Sequence, residues 1–168
     1  MSNIIPNKSS VRRWYIRRYR DRASFGKRAE YSVVAELLKR DFDVYMPLVD
    51  DQGIDCIIRL DSKTYLDVQI KARSKHAKQS NFFPAMTFKP RDNFYFIFYT
   101  EKNNNFWVIP SKDVANLGSK NKLGKNVGKI SVILPRTGTG KKARRCRKYK
   151  NNNGFNLLKQ YRQTADNS

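Results

Sequence analysis

Residues 55–71 read DCIIRLDSKTYLDVQIK, and this stretch decides the fold. Two runs rich in β-branched and aromatic residues, 55–60 and 65–71, lie on either side of the polar turn DSK at 61–63. That pattern predicts two strands joined as a β-hairpin. The rest of the chain is interpreted outward from this hairpin.

The hairpin brings three polar side chains to one side of the predicted sheet. Paired positions across the turn sum to about 124, so Asp55 is expected opposite Gln69. Gln69 and Lys71 are two apart on one strand and therefore point to the same face. A carboxylate, an amide and an ammonium group converge there.

The flanking segments predict helices and further strands around the hairpin. Ser24 is a candidate N-cap, and apolar residues at three-and-four spacing predict an amphipathic helix that ends near Arg40. Glu30 lies toward the buried side of this helix and joins the three polar side chains if the helix packs on their face. The other predicted elements are strands at 43–47, 93–100, 106–109 and 129–134, helices at 111–117 and 155–163, and a loop at 72–93. This order predicts an α/β (α+β) domain with a central mixed sheet flanked by helices.

Charge is distributed unevenly along the 168 residues. There are 35 lysines and arginines against 14 aspartates and glutamates, so the formal net charge is +21, which points to a polyanionic partner. Nine of the 14 acids lie between Glu30 and Asp67, whereas residues 114–165 contain none. This concentration of acids between residues 30 and 67 is explained if carboxylates hold a divalent metal that faces a phosphate. A solvated acidic face between basic tails explains it equally well.

Composition disfavours several classes of protein. No apolar run reaches the roughly 20 residues of a transmembrane helix, so no membrane role is expected. The N-terminus has no hydrophobic signal-peptide region, and Cys56 and Cys146 cannot form a disulfide framework. A cytoplasmic location is therefore expected. The one histidine, His76, excludes a zinc site built from several histidines.

The order of short motifs resembles the PD-(D/E)xK nuclease superfamily. The motifs are GKRAE at 26–30, DQGID at 51–55 after Pro47, and VQIKAR at 68–73. They are most similar to variants in which glutamine replaces the middle acid, giving QxK. The resemblance implies a restriction-endonuclease-like αβββαβ core and metal-dependent cleavage of phosphodiester bonds that leaves a 5′-phosphate.

The same resemblance implies that Glu30, Asp55, Gln69 and Lys71 are the catalytic positions. Mg²⁺, for which Mn²⁺ can substitute, is expected to be held by Glu30, Asp55, the amide oxygen of Gln69 and the backbone carbonyl of Ile70. Lys71 is expected to orient or deprotonate the attacking water, or to offset charge on the phosphorus.

Basic residues in several stretches are candidates for contact with DNA. They are Arg12, Arg13, Arg17, Arg18, Lys27, Arg28, Arg73, Lys75, His76, Lys78, Arg144, Arg145, Arg147 and Lys148. None belongs to a base-reading motif, so no target sequence is predicted. The expected partner is double-stranded or branched DNA, with RNA left open, and a homodimer is expected if both strands are cut.

Two functions remain open from the sequence. One is a magnesium-dependent DNA endonuclease of the restriction, homing, junction-resolving or mobile-element type. The other is a non-catalytic nucleic-acid-binding protein that retains a nuclease-like fold. The predicted organisation is a basic N-terminal arm at 1–22, a nuclease-like core at 23–135, and a basic C-terminal extension at 136–168 with a closing helix.

Overall fold

The structure, a computed structural model, describes residues 22–49, 52–136 and 138–165. In chain order the elements are α1 (Arg22–Leu38), β1 (Asp43–Tyr45), β2 (Cys56–Arg59), β3 (Tyr65–Arg73), β4 (Phe82–Met86), β5 (Phe94–Thr100), β6 (Asn105–Pro110), α2 (Ser111–Leu117), β7 (Ser119–Lys120), β8 (Ile130–Ile133), α3 (Lys141–Cys146) and α4 (Asn151–Ala165). Two single 3₁₀ turns, Gly124–Asn126 and Arg147–Tyr149, precede β8 and α4. The candidate DNA contacts Arg12, Arg13, Arg17 and Arg18 lie outside the described residues.

The strands of the described residues form two sheets. The larger sheet has the order β1-β2-β3-β5-β6, and in it β3 and β5 run parallel while the other neighbours are antiparallel. The smaller, antiparallel sheet has the order β4-β8-β7. The predicted α+β class, with a central mixed sheet flanked by helices, is confirmed.

The β2–β3 hairpin has the predicted register. Cys56 is paired with Val68, and Arg59 with Tyr65. Asp55 lies one residue before β2 rather than inside it, and its backbone N–H donates to the carbonyl of Val68 at 2.8 Å. Because β3 continues to residue 73, its last residues extend beyond the end of β2.

The connection from β3 to β5 differs from the loop predicted at 72–93. Residues 72 and 73 of the predicted loop belong to β3, and Phe82–Met86 forms strand β4, which pairs with β8. The αβββαβ order would place a helix in this crossover, but the described chain is extended there. Pro84 explains the difference: proline disfavours a helix, and it is tolerated on an edge strand such as β4, where the register shifts between Phe83 and Met86.

Two apolar clusters lie on opposite faces of the large sheet. Val33, Leu37, Val68 and Phe155 belong to the first cluster, which places α1 and α4 on one face. The second cluster joins the phenylalanines of β5 to the small sheet, α2 and α3 on the other face. β5 supplies both clusters and is buried at every position, as expected for a central strand.

Two general expectations can be compared with the described part of the chain. Cys56 and Cys146 are buried and free, and they lie in different clusters. None of the described helices combines the length and the apolar character needed to cross a membrane.

Candidate active site

Asp55 closes the end of the β2–β3 ladder with its side chain. Its Oδ2 accepts the backbone N–H of Ile70 at 2.5 Å. The N–H of Asp67 and the carbonyl of Arg73 form their hydrogen bonds on the β5 side, so strand alternation turns the N–H and carbonyl of Ile70 toward the β2 side. The Asp55 carboxylate and the Ile70 carbonyl therefore share one edge of β3.

Gln69 is only 8% exposed, and its side-chain amide forms no hydrogen bond with the described residues. No fully buried side-chain nitrogen or oxygen of the described residues lacks a hydrogen-bond partner. The amide therefore reaches solvent and is accessible to a ligand. Lys71 lies two residues further along β3 on the same face and is half-buried.

Helix α1 packs on the opposite face of β3 from Gln69 and Lys71. The apolar residues of α1 cluster with Val68 and Ile70. The helix therefore does not pack on the face of Gln69 and Lys71, and Glu30 does not join these side chains there. Glu30 nevertheless lines the same groove as Lys71. The two side chains line one groove but do not lie on one face of the sheet.

The carboxylates of Glu30 and Asp55 act on the same neighbouring groups. The Nζ of Lys27 donates to Oε2 of Glu30 at 2.5 Å. This hydrogen bond and the attraction of the Glu30 charge raise the pKa of Lys27, and the charge of Asp55 contributes less. Burial raises the pKa of the Cys56 thiol to about 12, and the charges of Asp55 and Glu30 add to that rise. Negative charge is therefore concentrated beside the start of β2.

A groove of about 1050 Å³ runs along this edge of β3. Four consecutive residues, 70–73, line it. Since alternate residues of a strand point to opposite faces, a consecutive run indicates that the groove follows the strand edge. The basic residues in its lining are Arg28, Lys71, Arg73, Lys75, His76 and Lys78. Five of the predicted DNA contacts therefore surround the candidate site.

Arg73 has a structural contact in addition to its place in the groove. Its Nε donates to the carbonyl of Phe82 at 2.5 Å, which ties β3 to β4. Burial lowers the pKa of its guanidinium group. Arg73 is therefore a less mobile cation than the exposed Lys75 and Lys78 on the following loop.

The other predicted DNA contacts lie away from the groove. Lys27 is exposed but does not line it. Arg144, Arg145, Arg147 and Lys148 are exposed on α3 and the 3₁₀ turn that follows. These four residues form a separate basic surface.

Two contacts near the site were not indicated by the sequence. Glu101 lines the groove, and its Oε2 accepts the backbone N–H of Lys75 at 2.8 Å, which fixes the loop after β3. Asp67, on the face of Gln69 and Lys71, forms an ion pair with Arg91 at 2.5 Å. Both contacts join residues more than 20 positions apart, so no local pattern signals them.

The donor set at the edge of β3 fits Mg²⁺. Two carboxylates, one amide oxygen and one backbone carbonyl are hard oxygen ligands, and Mg²⁺ keeps several waters of its own. The Gln69 amide, which reaches solvent and forms no hydrogen bond with the described residues, is the structural observation that favours a ligand there. Within the described residues, no group of three or more His, Cys, Asp or Glu side chains could hold a metal, so neutral oxygens are needed to complete the set.

The arrangement of strands and helices can be compared with solved proteins. The structure of a bacterial homing endonuclease, I-Ssp6803I, is similar over 89% of this chain and 99% of that chain, with a TM-score of 0.64 and 18% sequence identity. This chain shares its fold with that protein. The similarity to that protein covers more of the chain than residues 26–73, which carry the motif resemblance. No protein-family model and no curated protein matches the sequence.

Proposed function

We propose that the chain is a metal-dependent DNA endonuclease with a QxK site of the PD-(D/E)xK type. The observation that carries the proposal is the open edge of β3. There the solvent-accessible amide of Gln69, the carboxylate of Asp55 and the half-buried Lys71 lie beside a groove with a basic lining. The fold shared with a bacterial homing endonuclease supports the same class of activity.

In this proposal the ligands of Mg²⁺ or Mn²⁺ are Glu30, Asp55, Gln69 and Ile70. The first two contribute carboxylates, Gln69 its amide oxygen and Ile70 its backbone carbonyl. A metal bound there polarises a phosphate oxygen and lowers the pKa of a water ligand. Asp55 is held in place by the N–H of Ile70, so one hydrogen bond couples two of the four ligand residues.

The remaining chemistry belongs to the cations of the groove. Lys71 is next to the ligand residues in sequence, and its ammonium group orients the attacking water or stabilises charge that develops on the phosphate. Arg28, Lys75 and Lys78 neutralise flanking phosphates, which gives binding a strong salt dependence. Because the Lys75 backbone is anchored by Glu101, the loop that carries these contacts is placed before DNA arrives.

Duplex DNA is the proposed substrate, and homing is the setting that the structural neighbour favours among those considered. The chain has one site of this composition among its described residues, and each site cuts one strand. Cleavage of both strands therefore requires a homodimer.

The proposal is tested with a cleavage panel of duplex, single-stranded, branched and RNA substrates in Mg²⁺ and in Mn²⁺. Asp55→Asn keeps an oxygen acceptor for the Ile70 N–H but removes the charge, and Lys71→Met keeps the length of the side chain without its ammonium group. We expect each to slow cleavage by at least about 100-fold while DNA binding in EDTA is retained. Lys63→Met, at an exposed lysine of the 61–63 turn, is the matched control. Wild-type rates in the two site variants would refute the assignment.

A non-catalytic DNA-binding protein is the second candidate. The observation that favours it is the small number of carboxylates, since the described residues contain no cluster of three metal-ligating side chains. It predicts tight binding to DNA, no calorimetric signal for Mg²⁺ or Mn²⁺ with DNA present, and no cleavage of any substrate in the panel.

A further inference from the structure

Gly53 lies in the turn before Asp55 and approaches the amide of Gln69. Its φ is +71°, in a region that glycine adopts without steric cost. A Cβ built on residue 53 falls 2.3 Å from Nε2 of Gln69 and 3.3 Å from its Cδ. Real Cβ atoms essentially never show a contact as short as the first. Any other residue at position 53 therefore displaces the amide.

The approach involves the end of the Gln69 side chain, where three amide atoms lie within 4 Å of that Cβ position. Nε2 is nearest to Gly53, and Oε1 is the far atom, 3.9 Å from the same Cβ position. The amide oxygen is the atom of this side chain that can ligate a metal. Because a Cβ at position 53 would occupy the space of the amide, glycine leaves room for this group near the start of β2.

We propose that Gly53 is a positioning residue whose lack of a side chain leaves space for the Gln69 amide beside a divalent cation. The proposal rests on the proposed function, because it assigns a metal to this edge of β3. It links two departures from an all-carboxylate site: a glutamine among the ligands, and a residue without a side chain packed against the amide of that glutamine.

The test is calorimetric titration of the full chain with Mn²⁺, which measures metal affinity without relying on cleavage. Gly53→Ala is expected to weaken Mn²⁺ binding by about 10–100-fold, the usual effect of losing a group that orients a ligand. Gly124→Ala is the matched control. Gly124 has the same φ of +71°, but a Cβ there meets nothing within 4 Å. It imposes the same backbone strain without the contact, so wild-type affinity is expected.

Three results would overturn the proposal or part of it. Wild-type Mn²⁺ affinity in Gly53→Ala overturns the role of Gly53 and leaves the endonuclease proposal intact. Equal weakening in Gly53→Ala and Gly124→Ala assigns the effect to backbone strain and also overturns it. A wild-type chain that binds no Mn²⁺, with or without DNA, overturns both proposals together.

A second pair of measurements keeps the test decisive if Gly53→Ala folds poorly. Gly53→Asn introduces the same Cβ in a residue that tolerates positive φ, and the same loss of Mn²⁺ affinity is expected. Thermal unfolding of Gly53→Ala in a Gln69→Ala background isolates the contact. Without the amide, the fall in Tm is expected to shrink to that of Gly124→Ala, and an undiminished fall contradicts the contact.

Discussion

Asp55 combines two roles that usually belong to different residues. Its carboxylate replaces a strand carbonyl as the acceptor for the N–H of Ile70, and it supplies negative charge at the edge where a metal is proposed. The first role belongs to the fold and the second to the proposed catalysis. The two can be separated because asparagine keeps an oxygen acceptor and loses only the charge.

The stability of two Asp55 variants measures the first role. Asp55→Ala leaves the N–H of Ile70 without its acceptor, so we expect the free energy of unfolding to fall by about 1–3 kcal/mol. Asp55→Asn is expected to stay within about 0.5 kcal/mol of the wild type. Urea denaturation in EDTA provides both values. An equal loss in the two variants would show that the charge, and not the hydrogen bond, stabilises the end of the ladder.

At the scale of single residues, sequence indicates which side chains have suitable chemistry but not what surrounds them. Asp55, Gln69 and Lys71 follow from strand alternation and hairpin register, which are local rules. The contact between Gly53 and Gln69 and the anchoring of Lys75 by Glu101 both depend on the folded path of loops. These features could be found only in the structure.

Elements with strong local signals were predicted well. The hairpin follows from its turn residues, and β5 from its unbroken apolar run. The face of β3 that receives α1 could not be predicted, because periodicity defines the apolar side of a helix but not its partner surface. β4 was missed because Pro84 interrupts its pattern.

The β7–β8 connection, here called the lysine hairpin (residues 119–129), is an element whose role was not predicted. It contains Lys120, Lys122, Lys125 and Lys129 and no acid. Its ends are joined by the N–H of Asn121, which donates to the carbonyl of Lys129 at 2.9 Å. An exposed basic hairpin of this kind suits a DNA groove.

Salt dependence of DNA binding tests the lysine hairpin. If Lys122 and Lys125 each contact a phosphate, changing both to Gln lowers the slope of log K against log salt by about 1.8, or about 0.9 for each contact. Fluorescence anisotropy at several salt concentrations measures this slope. The double variant Lys63→Gln, Lys159→Gln removes the same charge elsewhere and is expected to leave the slope unchanged. Equal slopes in the two double variants would exclude a specific role for the hairpin.

At the scale of the whole molecule, the last helix belongs to the core. Phe155 and Leu158 of α4 are almost completely buried against α1 and the large sheet, and Cys146 and Tyr149 enter the second cluster. The basic residues of 136–168 therefore belong to a segment that also supplies buried apolar residues to the core.

The contribution of α4 can be measured by comparing adjacent positions. Leu158→Ala creates a cavity in the first cluster and is expected to lower the free energy of unfolding by about 2–5 kcal/mol. Lys159→Ala, at an exposed position, is expected to change it by about 0.5 kcal/mol or less. Denaturation with urea gives both values. A small effect of Leu158→Ala would mean that α4 adds little to the core.

The complete burial of β5 has a consequence for how the protein is made and handled. Residues 94–100 (FYFIFYT) contain no charge, proline or glycine, a composition typical of segments that stack into aggregates when exposed. β6 follows after a short turn and can cover one edge early. The other edge pairs in parallel with β3, which requires a long crossover to close first and is intrinsically slow. Aggregation during refolding is therefore expected to rise steeply with protein concentration and to begin in this strand.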